Sequence, residues 1–364
     1  MKRTLLNVLA AVATFFVLGE ISFAQDRKPV SPIAGAYVIS AKAGGINFVS
    51  GTVSIQGKKA KKILAVQNDS LAIGEKISTA ADGKAEILLN PGSYVRLAES
   101  SEFEFADTAL DNLAVKLNRG SAIFEVIADD EFKVAVNTPK SQFSLVKTGV
   151  YRVDALSDGT GRISVWKGKA KTGATESAAI KSGKAATIIN GQLAIEKFDR
   201  DAKGELETWS KQRAKEIAKV NAKLLNREMN NALLSSFSQN RWNVYDSFGL
   251  WVRDPFSRSY CFLPFGSGWT SPYGYWFNRD IWSYRLPQTV FYLPNNTSVM
   301  NQNGLPRQPQ QQPVTPPYER IQTNPGNVVT PQSPNTEPSE LPSAPARAPR
   351  RINSKTTAPQ PIID

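Results

Sequence analysis

Ala81-Asp82-Gly83-Lys84-Ala85-Glu86-Ile87-Leu88-Leu89-Asn90-Pro91-Gly92-Ser93-Tyr94-Val95-Arg96-Leu97 is the stretch that decides how this chain folds. Lys84–Leu89 and Tyr94–Leu97 have strand character, and Asn90-Pro91-Gly92-Ser93 stands between them. Proline presets φ and glycine supplies the positive φ a tight turn needs, so the segment reads as a β-hairpin. Asp82-Gly83 supplies the turn before it.

The same character extends outward. From residue 44 to residue 198, short runs of alternating apolar and polar residues are separated by Gly, Asn, Asp and Pro. Glu102-Phe103-Glu104-Phe105 alternates with period two, which puts both rings on one face and both carboxylates on the other. Phe132–Val136, Tyr151–Val153, Ile163–Trp166 and Ala185–Ile189 continue the pattern. Many short strands with no helical pattern between them predict a mainly β fold, with antiparallel pairing in a sandwich, roll or solenoid.

Residues 81–97 resemble the central signature of FecR-like domains, in which such a hairpin is followed by an Arg-Gly turn and a further strand. Arg119-Gly120-Ser121-Ala122-Ile123-Phe124-Glu125-Val126 matches that second part, and Phe132–Pro139 looks like the strand after it. Lys167-Gly168 and Ser182-Gly183-Lys184 fall at later turns of the pattern. The resemblance spans roughly residues 44–190. It departs at Lys147-Thr148-Gly149-Val150-Tyr151-Arg152, where many members carry Arg-Gly-Thr. What it implies is a FecR-type β domain, either a sandwich or roll or solenoid-like, in an envelope location. Name-giving members relay a receptor's signal to a cytoplasmic sigma factor through an N-terminal cytoplasmic segment and one membrane-spanning helix.

The N-terminus of this chain reads differently. Lys2 and Arg3, an apolar run from Leu5 to Leu18, and the small residues of Ser22-Phe23-Ala24 form a secretory signal peptide over 1–24, with Gln25 as the mature N-terminus. The competing reading is an uncleaved anchor, but a spanning helix wants roughly 20 apolar residues and Glu20 ends this run early. After cleavage no transmembrane helix is expected, and the cytoplasmic relay does not carry over.

Composition removes whole classes of chemistry. Among 364 residues there is no histidine, so the usual general base and zinc ligand are excluded, and the single cysteine, Cys261, cannot close an internal disulfide. The formal charge of +12 favours anionic partners, yet an exported chain has little access to nucleic acid. Asp199-Arg200-Asp201-Ala202-Lys203-Gly204 opens like a calcium loop, but Lys203 stands at the fifth position and Ser210 where a bidentate glutamate belongs. It reads instead as a helix N-terminus with acidic capping. Neither a catalytic residue, a metal site nor a cofactor is expected.

The remaining regions are a leader over 25–43, the β domain over 44–198, a helical linker over 199–237, an aromatic β module over 240–293 and a tail over 295–364. Leu206, Trp209, Arg213, Ile217, Val220 and Leu224 recur at helical spacing. Five of the seven tryptophans fall at Trp242, Trp251, Trp269, Trp276 and Trp282. Such rings either form the core of a small module or stack on sugars, and Trp251, Trp269, Tyr273 and Trp276 are the candidate ligand-binding residues. The Pro- and Gln-rich tail is expected to be disordered by composition.

The functional expectation is a non-enzymatic periplasmic or cell-surface interaction protein that docks another envelope protein. The alternative is binding of peptidoglycan or surface polysaccharide by the aromatic module. A FecR-type regulator would require the uncleaved anchor.

Overall fold

A computed structural model of the chain describes residues 37–57, 62–173, 178–189, 192–224, 227–291 and 315–323. The signal sequence, most of the leader and nearly all of the tail lie outside the described residues.

Among the described residues, sixteen strands make a two-layer sandwich. The first layer runs, from edge to edge, through β4 (Lys62–Leu64), β3 (Val53–Gln56), β5 (Lys76–Thr79), β8 (Glu102–Asp107), β9 (Ala114–Val126), β10 (Val134–Asn137), β11 (Gln142–Leu145), β14 (Lys169–Thr172) and β15 (Ala178–Lys181). The second runs through β2 (Ile46–Ser50), β6 (Lys84–Leu88), β7 (Tyr94–Leu97), β9 again, β12 (Gly149–Ala155), β13 (Gly161–Lys167), β16 (Lys184–Ile189) and β17 (Gln192–Lys197). Among the described strands, every pairing is antiparallel apart from that of β9 with β10. The hairpin read from the sequence is β6–β7, with Ala85 opposite Leu97 and Leu88 opposite Tyr94.

The long strand β9 belongs to both layers: its first half pairs with β8 and its second half with β7 and β12. The crossing is at Gly120, where φ is +81° and a Cβ would stand 2.3 Å from Ser101 Oγ. Only glycine accommodates both conditions. Between the layers lies one apolar core, with Phe103, Phe105, Val115 and Phe143 from the first and Ile87, Val95, Phe124 and Val153 from the second. Lys76 and Lys116 hold the outward carboxylates of Glu102 and Glu104, as the period-two alternation requires.

A second, smaller sheet is formed by β1 (Val38–Ser40), β18 (Gly249–Arg253) and β19 (Tyr260–Pro264). The stretch read as a leader thus supplies an edge strand: Ile39 stands opposite Val252 and is buried. The helical region is two helices, α1 (Glu205–Ala222) and α2 (Arg227–Ser238). The acidic cap expected before α1 is absent: Gly204 is the N-cap without a side-chain bond, Asp199 accepts from the Asp201 amide, and Glu205 and Glu207 fill the acidic first turn. Within the stretch read as tail, α3 (Pro317–Thr323) buries Tyr318 and Ile321, three residues apart, against the aromatic cluster. Proline at its first position loses no intrahelical bond. Among the described residues, no helix is long and apolar enough to cross a membrane.

Candidate functional site

The second layer of the sandwich has an outward face, and alternation decides what stands on it. Along β6, Ala85 and Ile87 point into the core while Glu86 and Leu88 point out; along β7, Val95 and Leu97 point in while Tyr94 and Arg96 point out. Along β9, Phe124 points in, and Ile123, Glu125 and the following Ile127 do not. This outward face is covered by α1 and the aromatic sheet. Leu88, Tyr94 and Ile127 join Trp251, Phe262 and Leu263 in a second apolar cluster.

The charged members of the face meet α1. Arg96 is fully buried; its Nε donates to Glu86 Oε2 at 2.7 Å, and its Nη1 to Glu125 Oε2 at 2.7 Å and to Ser210 Oγ at 2.9 Å. Glu86 Oε1 also accepts from Arg213 Nη2 at 2.9 Å and from Asn47 Nδ2 at 2.8 Å. Tyr273 Oη bonds Ser210 Oγ at 2.8 Å, which ties the aromatic module to the same point.

Burial pushes the Glu86 carboxyl up, but Arg96 and Arg213 together outweigh it and hold it below the ordinary carboxylate range. For Glu125 burial wins over the attraction of Arg96, and its carboxyl is raised. Burial alone would lower Arg96; Glu86 and Glu125 reverse that and hold its guanidinium charged. Such a network adds little net stability over an apolar filling, but removing one member strands a charge in the interior. Its chemistry is that of a clamp: both carboxylates are held by guanidinium groups.

The four candidate ligand-binding residues do not share a surface. Trp251 is fully buried, edge-on to Tyr94 at 4.9 Å, and its Nε1 donates to Leu89 O at 3.2 Å. Trp269 is buried against Phe262. Tyr273 is half-buried against α1 and its phenol is raised by burial. Trp276 is 40% exposed. Trp282, outside that set, is 53% exposed and stacks on Phe291 at 4.2 Å.

Two features of the sequence mark Glu86, Arg96 and Arg213, and none marks Glu125. Glu86 and Arg96 stand directly opposite across the hairpin, and Arg213 sits within the apolar stripe of a helix. Neither signal says which element covers which face.

Comparison with known proteins agrees with the β domain. Residues 75–171 match the model of the family described as FecR protein, so the chain carries a FecR-type domain over that span, less than half of its length. No curated protein matches the chain. Two crystal structures of a candidate anti-sigma factor from Parabacteroides distasonis ATCC 8503 are similar. One is 21% identical with a TM-score of 0.31, over 35% of this chain and 61% of that one. The other is 18% identical with a TM-score of 0.31, over 50% of this chain and 84% of that one. This chain therefore spans less than two thirds of the first.

Proposed function

We propose that the protein is an exported, non-catalytic interaction protein of the cell envelope, built on its FecR-type domain. The observation that carries this reading is the unequal treatment of the two sandwich faces. The second layer's outward face is closed by the chain's own helices and aromatic sheet through the clamp of Arg96, Glu86, Glu125 and Arg213. The first layer's outward face remains polar and open, with Lys76, Lys116, Asn118 and Asn137 at or near solvent. A rigid sheet with one face sealed and one offered suits presentation to a partner. Export rests on the signal-like sequence of residues 1–24.

N-terminal sequencing of the mature protein, together with fractionation, tests the location: a chain beginning at Gln25 in an envelope fraction is expected. A cytoplasmic chain retaining Met1 sinks the reading, and an anchored, uncleaved chain favours a FecR-type regulator. Photo-crosslinking from Asn118 then tests for an envelope partner on the open face.

A second reading, polysaccharide binding, is favoured by the exposure of Trp276 and Trp282. Retention on insoluble peptidoglycan that falls on Trp276→Ala and Trp282→Ala supports it; unchanged retention, or none, removes it.

A further inference from the structure

The second layer is finished differently at its two edges, β2 and β17. At one, Asn47 on β2 bonds the backbone of Tyr260 on β19 twice, its Nδ2 donating to the carbonyl at 3.0 Å and its Oδ1 accepting from the amide at 2.6 Å. The backbone of that edge strand is also closed: the Ile46 amide donates to Asp69 O at 2.8 Å and Ile46 O accepts from the Asn68 amide at 2.8 Å. At the other end the layers stop at β15 and β17, each paired on one side, and among the described residues nothing pairs with the outer edge of β17.

The geometry of that edge is specific. The Phe198 amide donates to Gly183 O at 3.3 Å. By the alternation of an antiparallel ladder, the backbone N–H and C=O groups of Leu193, Ile195 and Lys197 then point away from β16. Leu193 and Ile195 stand opposite Ile188 and Ala186, on the core side of the layer, and Ile195 is 47% exposed because no strand continues beyond it. At the Leu193 end, a cavity of about 610 Å³ opens between the layers, lined by Ala178, Ile188 and Leu193 with Asn137, Gln142 and Thr172.

At the other end of the same strands stand lysines in directly opposed pairs: Lys184 opposite Lys197, and Lys169 opposite Lys181. The two-residue turn Ser182-Gly183 joins the pairs, with Arg200 beside Gly183. Like charges directly opposite are unfavourable, and among the described residues none of the four lysines has an ion-pair partner. Glu196 on β17 is taken by Arg162 at 2.6 Å, and Asp199 accepts from the Asp201 amide. The edge carries neither a proline nor a bulge; its guard against strand addition is the charge of Lys197, which a carboxylate on the incoming strand neutralises.

We propose that the outer edge of β17 receives an extended acidic segment of a partner protein, added as a further strand. The inference rests on the interaction-protein reading and adds to the first layer's open face a second contact, at the edge of the second layer. Leu193 and Lys197 are four residues apart, about 13 Å along a strand. A bound segment is therefore apolar at the positions facing Leu193 and Ile195 and carries Asp or Glu facing Lys197. Main-chain bonds give the affinity and the alternate side chains the selectivity. A second copy of this chain fits poorly, since its β17, paired antiparallel about Ile195, sets Leu193 rather than a carboxylate opposite Lys197.

The test uses the full mature chain and labelled peptides with the core Glu-Thr-Val-Thr-Val, its reverse, and a control with Lys for Glu. Fluorescence anisotropy reads affinity, and hydrogen exchange reads protection of the Leu193, Ile195 and Lys197 amides. Binding of an acidic peptide with that protection is expected, weakened about tenfold or more by Lys184→Glu with Lys197→Glu. Ile195→Pro removes an outward donor without touching the β16 ladder and should abolish binding, with thermal melts confirming that both variants fold. Absence of peptide binding, or binding indifferent to Ile195→Pro, overturns the proposal. Uptake by phosphatidylglycerol vesicles that needs the lysines but ignores Ile195→Pro, or self-association that Ile195→Pro abolishes, assigns the edge elsewhere and overturns it too. If envelope partners still crosslink to the Ile195→Pro protein, the interaction reading stands and this site alone falls.

Discussion

Arg213 Nη2 on α1 meets Glu86 Oε1 on β6 at 2.9 Å, across 127 residues of sequence, and both side chains are buried. That bond, with Arg96 holding the other Glu86 oxygen, fixes the helix and the aromatic sheet to the FecR-type domain. The stability of the whole assembly is expected to depend on it.

Arg96→Ala leaves Glu86 and Glu125 buried with their main counter-charge gone. A loss of about 3–5 kcal/mol is expected in urea unfolding, as for breaking other buried pairs. A loss under 1 kcal/mol would mean that water reaches the site.

The two glutamates should respond oppositely to pH. Glu86 is held below the ordinary value of 4.5, so its contribution is complete above that value and is lost as pH falls through its folded value. Glu125 is raised, so its ionised form weighs against folding at neutral pH and protonation relieves it as pH falls. Urea unfolding across the acid range should therefore show the wild type losing ground to Glu86→Gln, and gaining on Glu125→Gln, on acidification. Parallel profiles for all three proteins would refute the assignment.

Gly120→Ala should destabilise the sandwich by about 1–3 kcal/mol, because the residue would need a positive φ and its Cβ would collide with Ser101. Thermal unfolding checks it. An unchanged midpoint would show that β9 can cross between layers another way.

Trp251→Ala removes the largest fully buried ring, and a loss of about 3–5 kcal/mol is expected. Trp276→Ala, at an exposed position, should stay within about 0.5 kcal/mol. Comparison of the two melts separates core aromatics from those available to a ligand.

The sequence by itself determined the β domain. Pro91 and Gly92 set the β6–β7 turn, Gly92 having φ of +94°, and Phe103 and Phe105 point inward as their spacing requires. These are local properties, since backbone sterics and a two-residue period act within a few positions of each other. Tertiary structure decided the rest. Val38–Ser40 is too short to declare itself a strand and is ordered by pairing with Trp251–Arg253. Pro317–Thr323 lies in a composition that suggests no structure and is held by burial of Tyr318 and Ile321. Most of all, the pattern around Glu86 and Arg96 marks them as outward without saying what lies outside. Outward residues on a strand normally meet water; here they meet α1, and that contact between distant segments turns two surface charges into a buried clamp.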